Sequence, residues 1–512
     1  MSKPFYITTP IYYVNDVPHI GTAYTTVAAD VLARYRRLRG EEVFFLTGTD
    51  EHGQKVADTA ESKGFSPQQW ADQTVTAFID AWRELDVSND DFIRTTEDRH
   101  TVAVQTFLRK LHDQGDIYLG HYEGWYCVGC EDYYLEDALA EGRTCPVHGR
   151  VVEWLSQDNY FFRLSAYAER LIEHYETHPD FVRPEERRNE MLSFIRGGLN
   201  DFSISRTSFT WGIPLPWDPQ HVTYVWFEAL INYLTAVGFG ADPERFARIW
   251  PAEYHFVGKD ILRFHSVTWP AMLMAAGLEL PGCIQAHGWL LVGGEKMSKS
   301  KANQIHPRTL VEDFGVDAYR YYFLRELSFG QDGSFSYEGM VNRYNADLAN
   351  DYGNLASRVT NMVERYCDGV LPAGEAGGEA EDVLAGVLAE AVAGIDREMG
   401  ELAYDRALGA LWSLVRATNR YVEDQAPWAL AKRQETARLH TVLYSASEAL
   451  RAIAVLVSPW MPRTSARLWE MLGMAEPLEA QRLPEAAAWG RCVPGQRVSK
   501  GEPLFPRMEV TK

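Results

Sequence analysis

The first fifty residues restrict the fold more than any other part of the chain. Phe5–Tyr13 is a run of aromatic and β-branched residues closed by Asn15-Asp16, and it reads as a buried strand. After the turn Pro18-His19-Ile20-Gly21-Thr22, the stretch Thr22–Arg39 repeats Ala, Val and Leu at helical spacing and ends in basic residues before Gly40, as a helix C-terminus does. Glu42–Thr47 is a second apolar strand that runs into Gly48-Thr49-Asp50-Glu51-His52-Gly53. Strand, helix and strand, with loop chemistry at the strand ends, open a parallel α/β nucleotide-binding sheet. Neither a G-x-G-x-x-G fingerprint nor a Walker A lysine motif occurs, which excludes a standard dinucleotide or P-loop site.

At 512 residues the chain is too long for one core and should divide into about three or four domains. The α/β rhythm breaks over residues 116–223, which read as an insertion carrying a cysteine cluster and the Pro-rich Trp211–Pro219 stretch. It resumes at Val222–Val225 and Tyr254–Gly258. From about residue 340 the chain is helical, interrupted by a Gly/Glu linker at Pro372–Glu381. No apolar run approaches the ~20 residues that cross a bilayer, and the N-terminus lacks a signal peptide's pattern, so a cytosolic protein is expected. The net charge of −21 argues against a surface that coats nucleic acid indiscriminately. Any RNA partner must be met by a few directed contacts.

Three groups of residues carry chemistry. Cys127-x2-Cys130 followed by Cys145-x2-His148 supplies three thiolates and one imidazole at knuckle spacing, within residues 127–148. That set closes a tetrahedral shell, so it predicts one structural zinc ion. His19-Ile20-Gly21-Thr22 follows a strand and opens a helix, whose free N–H groups and positive dipole end favour an anion, and Gly21 permits close backbone approach. Gly293-Gly294-Glu295-Lys296-Met297-Ser298-Lys299-Ser300-Lys301 can place several ammonium groups around a polyphosphate. Alone it reads equally as a solvated basic loop. Paired with His19 across a sheet crevice it becomes a clamp for a nucleoside triphosphate.

His19-Ile20-Gly21-Thr22 and Lys296-Met297-Ser298-Lys299-Ser300 together resemble the two signatures of class I aminoacyl-tRNA synthetases. Their surroundings resemble the methionyl-tRNA synthetase family in particular: Pro10-Ile11-Tyr12-Tyr13-Val14-Asn15, Thr47–Gly53, Tyr224-Val225-Trp226-Phe227-Glu228-Ala229 and Gly258-Lys259-Asp260, in family order from residue 4 to beyond 430. The chain departs from the family at Thr22, where a second histidine is usual, at Glu228, where Asp is frequent, and at Leu230, where Pro is frequent.

The resemblance implies a catalytic domain in two halves, residues 1–115 and 224–289, split by the zinc-bearing insertion 116–223. A stem-contact region with the lysine loop (290–350) and an α-helical anticodon-binding domain (351–512) follow. It implies adenylate formation from methionine and ATP, assisted by Mg²⁺, and transfer to the 3′-terminal adenosine of tRNA(Met), initiator tRNA included. Such a step needs positioning and charge neutralisation but no general base, because a carboxylate is already nucleophilic. His19, Thr22, Lys296 and Lys299 carry the catalytic role. Gly21, Gly258, Lys259 and Asp260 join them in holding ATP. Pro10, Ile11, Tyr13, Trp226, Ala229, Leu230, Tyr233, Ile261 and His265 line the methionine pocket, where aromatic walls suit a polarisable thioether. Trp226, Ala229, Leu230 and Tyr233 are read as one helical face. Asp50 takes the substrate ammonium and Arg206 its carboxylate. Asn354, Arg358 and Trp428 meet the anticodon, Trp428 by stacking. The insertion is too small for a separate editing domain, so homocysteine is expected to be rejected in the synthetic site.

Other readings compete. A synthetase for cysteine would use open-coordination zinc, and one for a branched amino acid would carry a larger insertion. A nucleotidyltransferase without tRNA has no use for the long helical domain, and a zinc-dependent RNA-binding protein has none for paired phosphate elements. The expected state is a monomer.

Overall fold

The computed structural model describes residues 3–127, 132–134, 136–146, 149–292, 295–296, 305–374 and 378–509. The chain opens as its pattern dictates, with strand β1 (Phe5–Tyr13), helix α1 (Ile20–Leu38) and strand β2 (Val43–Asp50). It divides into two compact units, one of Met1–Pro18, Val43–Ala81 and Asn89–His287, the other of His19–Glu42, Trp82–Ser88 and Gly288–Lys512. Helix α1 therefore belongs to the second unit although the strands on either side of it lie in the first.

The first unit is organised by a six-stranded parallel sheet. Its further strands are β3 (Asp91–Arg94), β7 (Val182–Arg183), β11 (Tyr254–Gly258) and β12 (Cys283–His287), in the order β3-β2-β1-β11-β12-β7. β1 has β2 on one side and β11 on the other, so the strand order reverses there, and the carboxyl ends of β1 and β11 flank the crevice where such sheets take ligands. Pro10 sits inside β1 and has no N–H to give. The register with β2 accordingly shifts between Thr8 and Ile11, and the Thr9 hydroxyl bridges to Pro10 O and Thr47 Oγ1, both at 2.8 Å.

The insertion forms its own antiparallel sheet. β4 (Ile117–Cys127) pairs along ten residues with β6 (Glu153–Phe162), flanked by β5 (Asp132–Tyr134) and β8 (Phe202–Ser203). A two-stranded ladder of β9 (Ser205–Arg206) and β10 (Val222–Thr223) follows. Helix α2 (Asp98–Asp113) and the short helices α3 (Val225–Leu230) and α4 (Asn232–Thr235) complete the parts of this unit that position the site. Ile93, Phe107, Phe162, Phe227, Tyr233, Val257, Trp269 and Ile284 lie in one continuous buried core.

In the second unit a small sheet orders β14 (Glu295–Lys296), β13 (Leu290–Val292) and β15 (Gly333–Phe335). Helix α5 (Val316–Glu326) precedes a helical array of α6 (Asn354–Cys367), α7 (Glu379–Gly400), α8 (Tyr404–Gln425), α9 (Pro427–Arg433) and α10 (Thr436–Val457). Helix α1 is tied into this unit by buried polar contacts. Arg320 of α5 donates to Asp30 at 2.6 Å and to the carbonyls of Leu85, Pro459 and Trp460 at 2.9 Å, and Tyr404 donates to Ala28 O at 2.8 Å. No helix among the described residues is long and apolar enough to cross a membrane.

Candidate active site

His19 is the N-cap of α1. Its Nδ1 accepts from the backbone N–H of Gly21 (3.1 Å) and Thr22 (3.4 Å), while the Thr22 hydroxyl accepts from the His19 N–H at 3.1 Å. This reciprocal capping box satisfies donors that a helix start leaves open. An accepting Nδ1 fixes the tautomer, so the ring's proton sits on Nε2, where it can be donated to an anion. A Cβ at Gly21 would fall 2.9 Å from His19 Cε1, so the glycine makes room for the imidazole rather than for a ligand alone. Lys296 ends the described part of the lysine loop, in β14. Lys299 and Lys301 lie outside the described residues, so nothing places the rest of that clamp.

In the first unit the carboxyl ends of the strands bring the expected methionine residues together. Tyr13 and Asp50 end β1 and β2 and pair with each other in register, and Asp50 is buried. Ile11, Tyr13, Trp226 and Ile261 pack, half-buried, against the core that includes Leu230 and Tyr233. Trp226 stacks flat on Phe264, a residue that no motif marked, with ring centres 4.4 Å apart and planes 2° from parallel. The single helical face expected for Trp226, Ala229, Leu230 and Tyr233 is broken. α3 ends at Leu230 and α4 begins at Asn232, which separates Tyr233 from the other three by a helix boundary.

Tyr233 is nonetheless joined to His265. Its hydroxyl lies 2.8 Å from His265 Nε2, and His265 Nδ1 lies 3.1 Å from Ile261 O. A carbonyl only accepts, so Nδ1 carries the proton and Nε2 accepts from Tyr233. Burial pushes His265 down to about 4, against the opposing pull of Ile261 O and Asp260, and the ring is neutral. Lys259 and Asp260 follow the end of β11. A Cβ at Gly258 would fall 2.5 Å from Asp260 Oδ1, so this carboxylate folds back over the glycine. Arg206 is buried, donates to Ser203 O and Oγ and to Ser205 O at 2.8–3.2 Å, and has its guanidinium 4.5 Å from the Tyr224 ring centre.

Beneath these groups lies a polar layer that motif reading missed. Glu51 accepts from Arg94 Nε at 2.8 Å and from Thr49 at 2.8 Å, and Glu228 lies between His52 Nδ1 (2.9 Å) and His100 Nε2 (2.7 Å). The only sequence signal was the density of charged residues after β2 and Glu228 amid an apolar helix.

In the second unit Asn354 and Arg358 share a face of α6, and the Arg358 guanidinium lies 5.9 Å from the Trp428 ring centre. Ala426 adopts the left-handed region (φ 43°) between α8 and α9, and Trp428, 44% exposed, follows it at the start of α9. In the insertion Cys127 and Cys145 are buried in one small cluster with Val152. Cys130 and His148 lie outside the described residues.

Two family models match the chain. That of class I tRNA synthetases (M) covers residues 5–152 and 143–360, and that of the anticodon binding domain of methionyl tRNA ligase covers residues 371–511. The chain is 56% identical to a methionine–tRNA ligase of Streptomyces coelicolor, spanning 99% of this chain and 97% of the relative. It is 50% identical to that of Caldanaerobacter subterraneus subsp. tengcongensis, spanning 100% and 80%. Among solved structures, a Mycobacterium tuberculosis methionyl-tRNA synthetase bound by methionyl-adenylate superposes with a TM-score of 0.94 at 44% identity, covering 98% of this chain and 100% of that one. Its free form gives 0.88 at 41% identity, covering 99% of both. The chain belongs to the methionyl-tRNA synthetase family of class I aminoacyl-tRNA synthetases.

Proposed function

We propose a residue-level assignment for the reaction of this methionine–tRNA ligase, which converts methionine and ATP to methionyl-adenylate and pyrophosphate and then transfers methionine to the 3′-terminal adenosine of tRNA(Met). The observation that carries it is the neutral Tyr233–His265 pair together with the Trp226–Phe264 stack. A pocket with aromatic walls and an uncharged polar end suits a thioether and penalises a charged side chain.

Asp50 takes the ammonium and Arg206 the carboxylate of methionine, while Gly258, Lys259 and Asp260 hold the nucleotide. His19 offers its Nε2 proton to the α-phosphate region, and Lys296 and Lys299 neutralise the leaving pyrophosphate, with Mg²⁺ assisting. The Thr22 hydroxyl serves the helix cap, which leaves more of the transition-state charge to His19 and the two lysines. Rejection of homocysteine rests on the same pocket, where one methylene is worth only about 10–200-fold.

Arg358 and Trp428, brought together on the helical unit with Asn354 one turn away, read anticodon bases of initiator and elongator tRNA(Met). Cys127 and Cys145, buried in one cluster, fit two of four ligands to a structural zinc ion completed by Cys130 and His148. A monomer acting in the cytoplasm agrees with these assignments. The test is ATP–pyrophosphate exchange with each of the twenty amino acids on the purified chain. Exchange with methionine alone is expected, and equal exchange with leucine or cysteine would overturn the pocket assignment.

A further inference from the structure

Glu228 lies on α3 between Trp226 and Ala229, and it is fully buried. Both of its oxygens are engaged, one with His52 Nδ1 at 2.9 Å and the other with His100 Nε2 at 2.7 Å. His100, in the first turn of α2, meets the Thr235 hydroxyl of α4 through its other nitrogen at 3.0 Å. His52 meets Trp211 in an edge-to-face contact with ring centres 5.2 Å apart. Burial favours the neutral acid, yet the two imidazoles outweigh it and hold the Glu228 carboxyl below the usual carboxylate range. A carboxylate is the one side-chain group that accepts on both sides without offering a donor to either, so it alone can join two imidazole N–H groups here.

The position of His52 gives this bridge a use. It stands two residues beyond Asp50, and consecutive Cα atoms are about 3.8 Å apart, so little slack separates them. The intervening Glu51 removes the rest: its N–H donates to Thr95 Oγ1 at 2.9 Å, its carboxylate takes Thr49 and Arg94, and its carbonyl accepts from Trp211 Nε1 at 2.6 Å. Any movement of Glu228 therefore shifts α3, with its pocket residues, against the segment that carries Asp50.

We propose that Glu228 is a positioning residue that couples recognition of the substrate's ammonium group to recognition of its side chain. The inference rests on the reading of Asp50 as the ammonium partner. It treats the His52–Glu228–His100 bridge as setting the distance between that carboxylate and the walls at Trp226 and Ala229. A ligand that uses both anchors depends on the distance, and one that uses only the pocket does not.

The experiment is calorimetric titration of the full chain with methionine and with 4-(methylthio)butanoate, which is methionine without its amino group. In Glu228→Gln, an amide N–H faces one imidazole N–H, and methionine should bind about 10-fold more weakly, the scale of one lost charge-assisted hydrogen bond, while the deaminated ligand changes less than about 2-fold. Equal weakening of both ligands, or no weakening of methionine, overturns the proposal. Asp50→Asn separates the two readings. If it weakens both ligands equally, the Asp50 assignment is wrong. If it is selective while Glu228→Gln is not, only the coupling fails. Should Glu228→Gln not fold, His52→Leu removes one bridge and His52→Asn returns an N–H near the Nδ1 position. A selective loss in the first that is restored in the second is expected, and identical behaviour of the two overturns the proposal.

Discussion

Tyr233→Phe probes the methionine pocket most directly, because it deletes one oxygen and leaves the ring among His255, His265 and Trp269. Burial raises the Tyr233 hydroxyl well above its usual range, so it remains a donor at every working pH. Its loss leaves His265 Nε2 with a buried lone pair and no tyrosine donor 2.8 Å away. An unsatisfied buried acceptor costs about 1–3 kcal/mol, and the lower half of that range corresponds to about 5- to 30-fold in affinity. On the proposed assignment the pocket holds the side chain, which is remote from the reacting carboxylate and changes little between ground and transition states. The cost should therefore fall on KM for methionine in ATP–pyrophosphate exchange, with kcat within about 2-fold of the parent. The pH dependence follows from the same ring. With His265 pushed down to about 4, its protonated fraction stays near one in ten at about pH 5. KM for methionine should thus be flat from pH 8 to about pH 5 and rise below it. A fall in kcat at unchanged KM, or a KM that climbs as pH drops through 6.5, would refute the neutral-pocket reasoning.

The buried network that ties α1 into the helical unit should show in stability. Burial opposes ionisation of Asp30, but Arg34, Arg320 and Ser88 outweigh it and hold the carboxyl at about 2. The folded pKa lies below the unfolded value, so this contribution, on the order of 2 kcal/mol, is present above about pH 4 and is lost as pH falls towards 2. Asp30→Asn strips Arg320 of its countercharge and should cost about 3 kcal/mol in urea unfolding, whereas the double variant Asp30→Leu/Arg320→Met should cost less than the sum of its parts. Trp428→Ala should raise KM for tRNA(Met) about 10- to 100-fold, the scale of one lost base–aromatic stack, and leave ATP–pyrophosphate exchange unchanged; equal damage to both assays would end the anticodon assignment. Removal of metal with a chelator should release one zinc ion per chain by elemental analysis and increase proteolysis within residues 116–223. A metal-free preparation with an unaltered digestion pattern would remove the zinc proposal.

What the sequence made legible was local and periodic. The β1–α1–β2 opening could be read because a buried parallel strand and an amphipathic helix each announce themselves within ten to twenty residues, and the structure places Phe5–Tyr13 and Tyr254–Gly258 at the bounds read from the pattern. The assignment of residues to a methionine pocket came only through resemblance to a family. Periodicity alone drew Trp226 to Tyr233 as one helix, and the chain ends α3 at Leu230 instead. The polar layer was not legible at all. Glu228 finds His52 176 positions away and His100 128 positions away, and hydrophobic periodicity records which face is apolar, not which polar groups meet beneath it.

Thr22 is the third residue of the helix that His19 caps. A threonine where a histidine is usual looked like a loss from the catalytic set. In the structure its hydroxyl completes the capping box, taking the His19 N–H while His19 Nδ1 takes the N–H groups of Gly21 and Thr22. The same exchange that satisfies the helix start commits Nδ1 as an acceptor and leaves the proton on Nε2. On the proposed assignment the Thr22 hydroxyl acts by holding the helix cap from which His19 is presented. Thr22→Val, which keeps the shape and removes the hydroxyl, should therefore lower the rate of adenylate formation while leaving methionine binding unchanged, and Thr22→Ser should restore it. A Thr22→Val enzyme with the parent's exchange rate would show that the cap has no part in presenting His19.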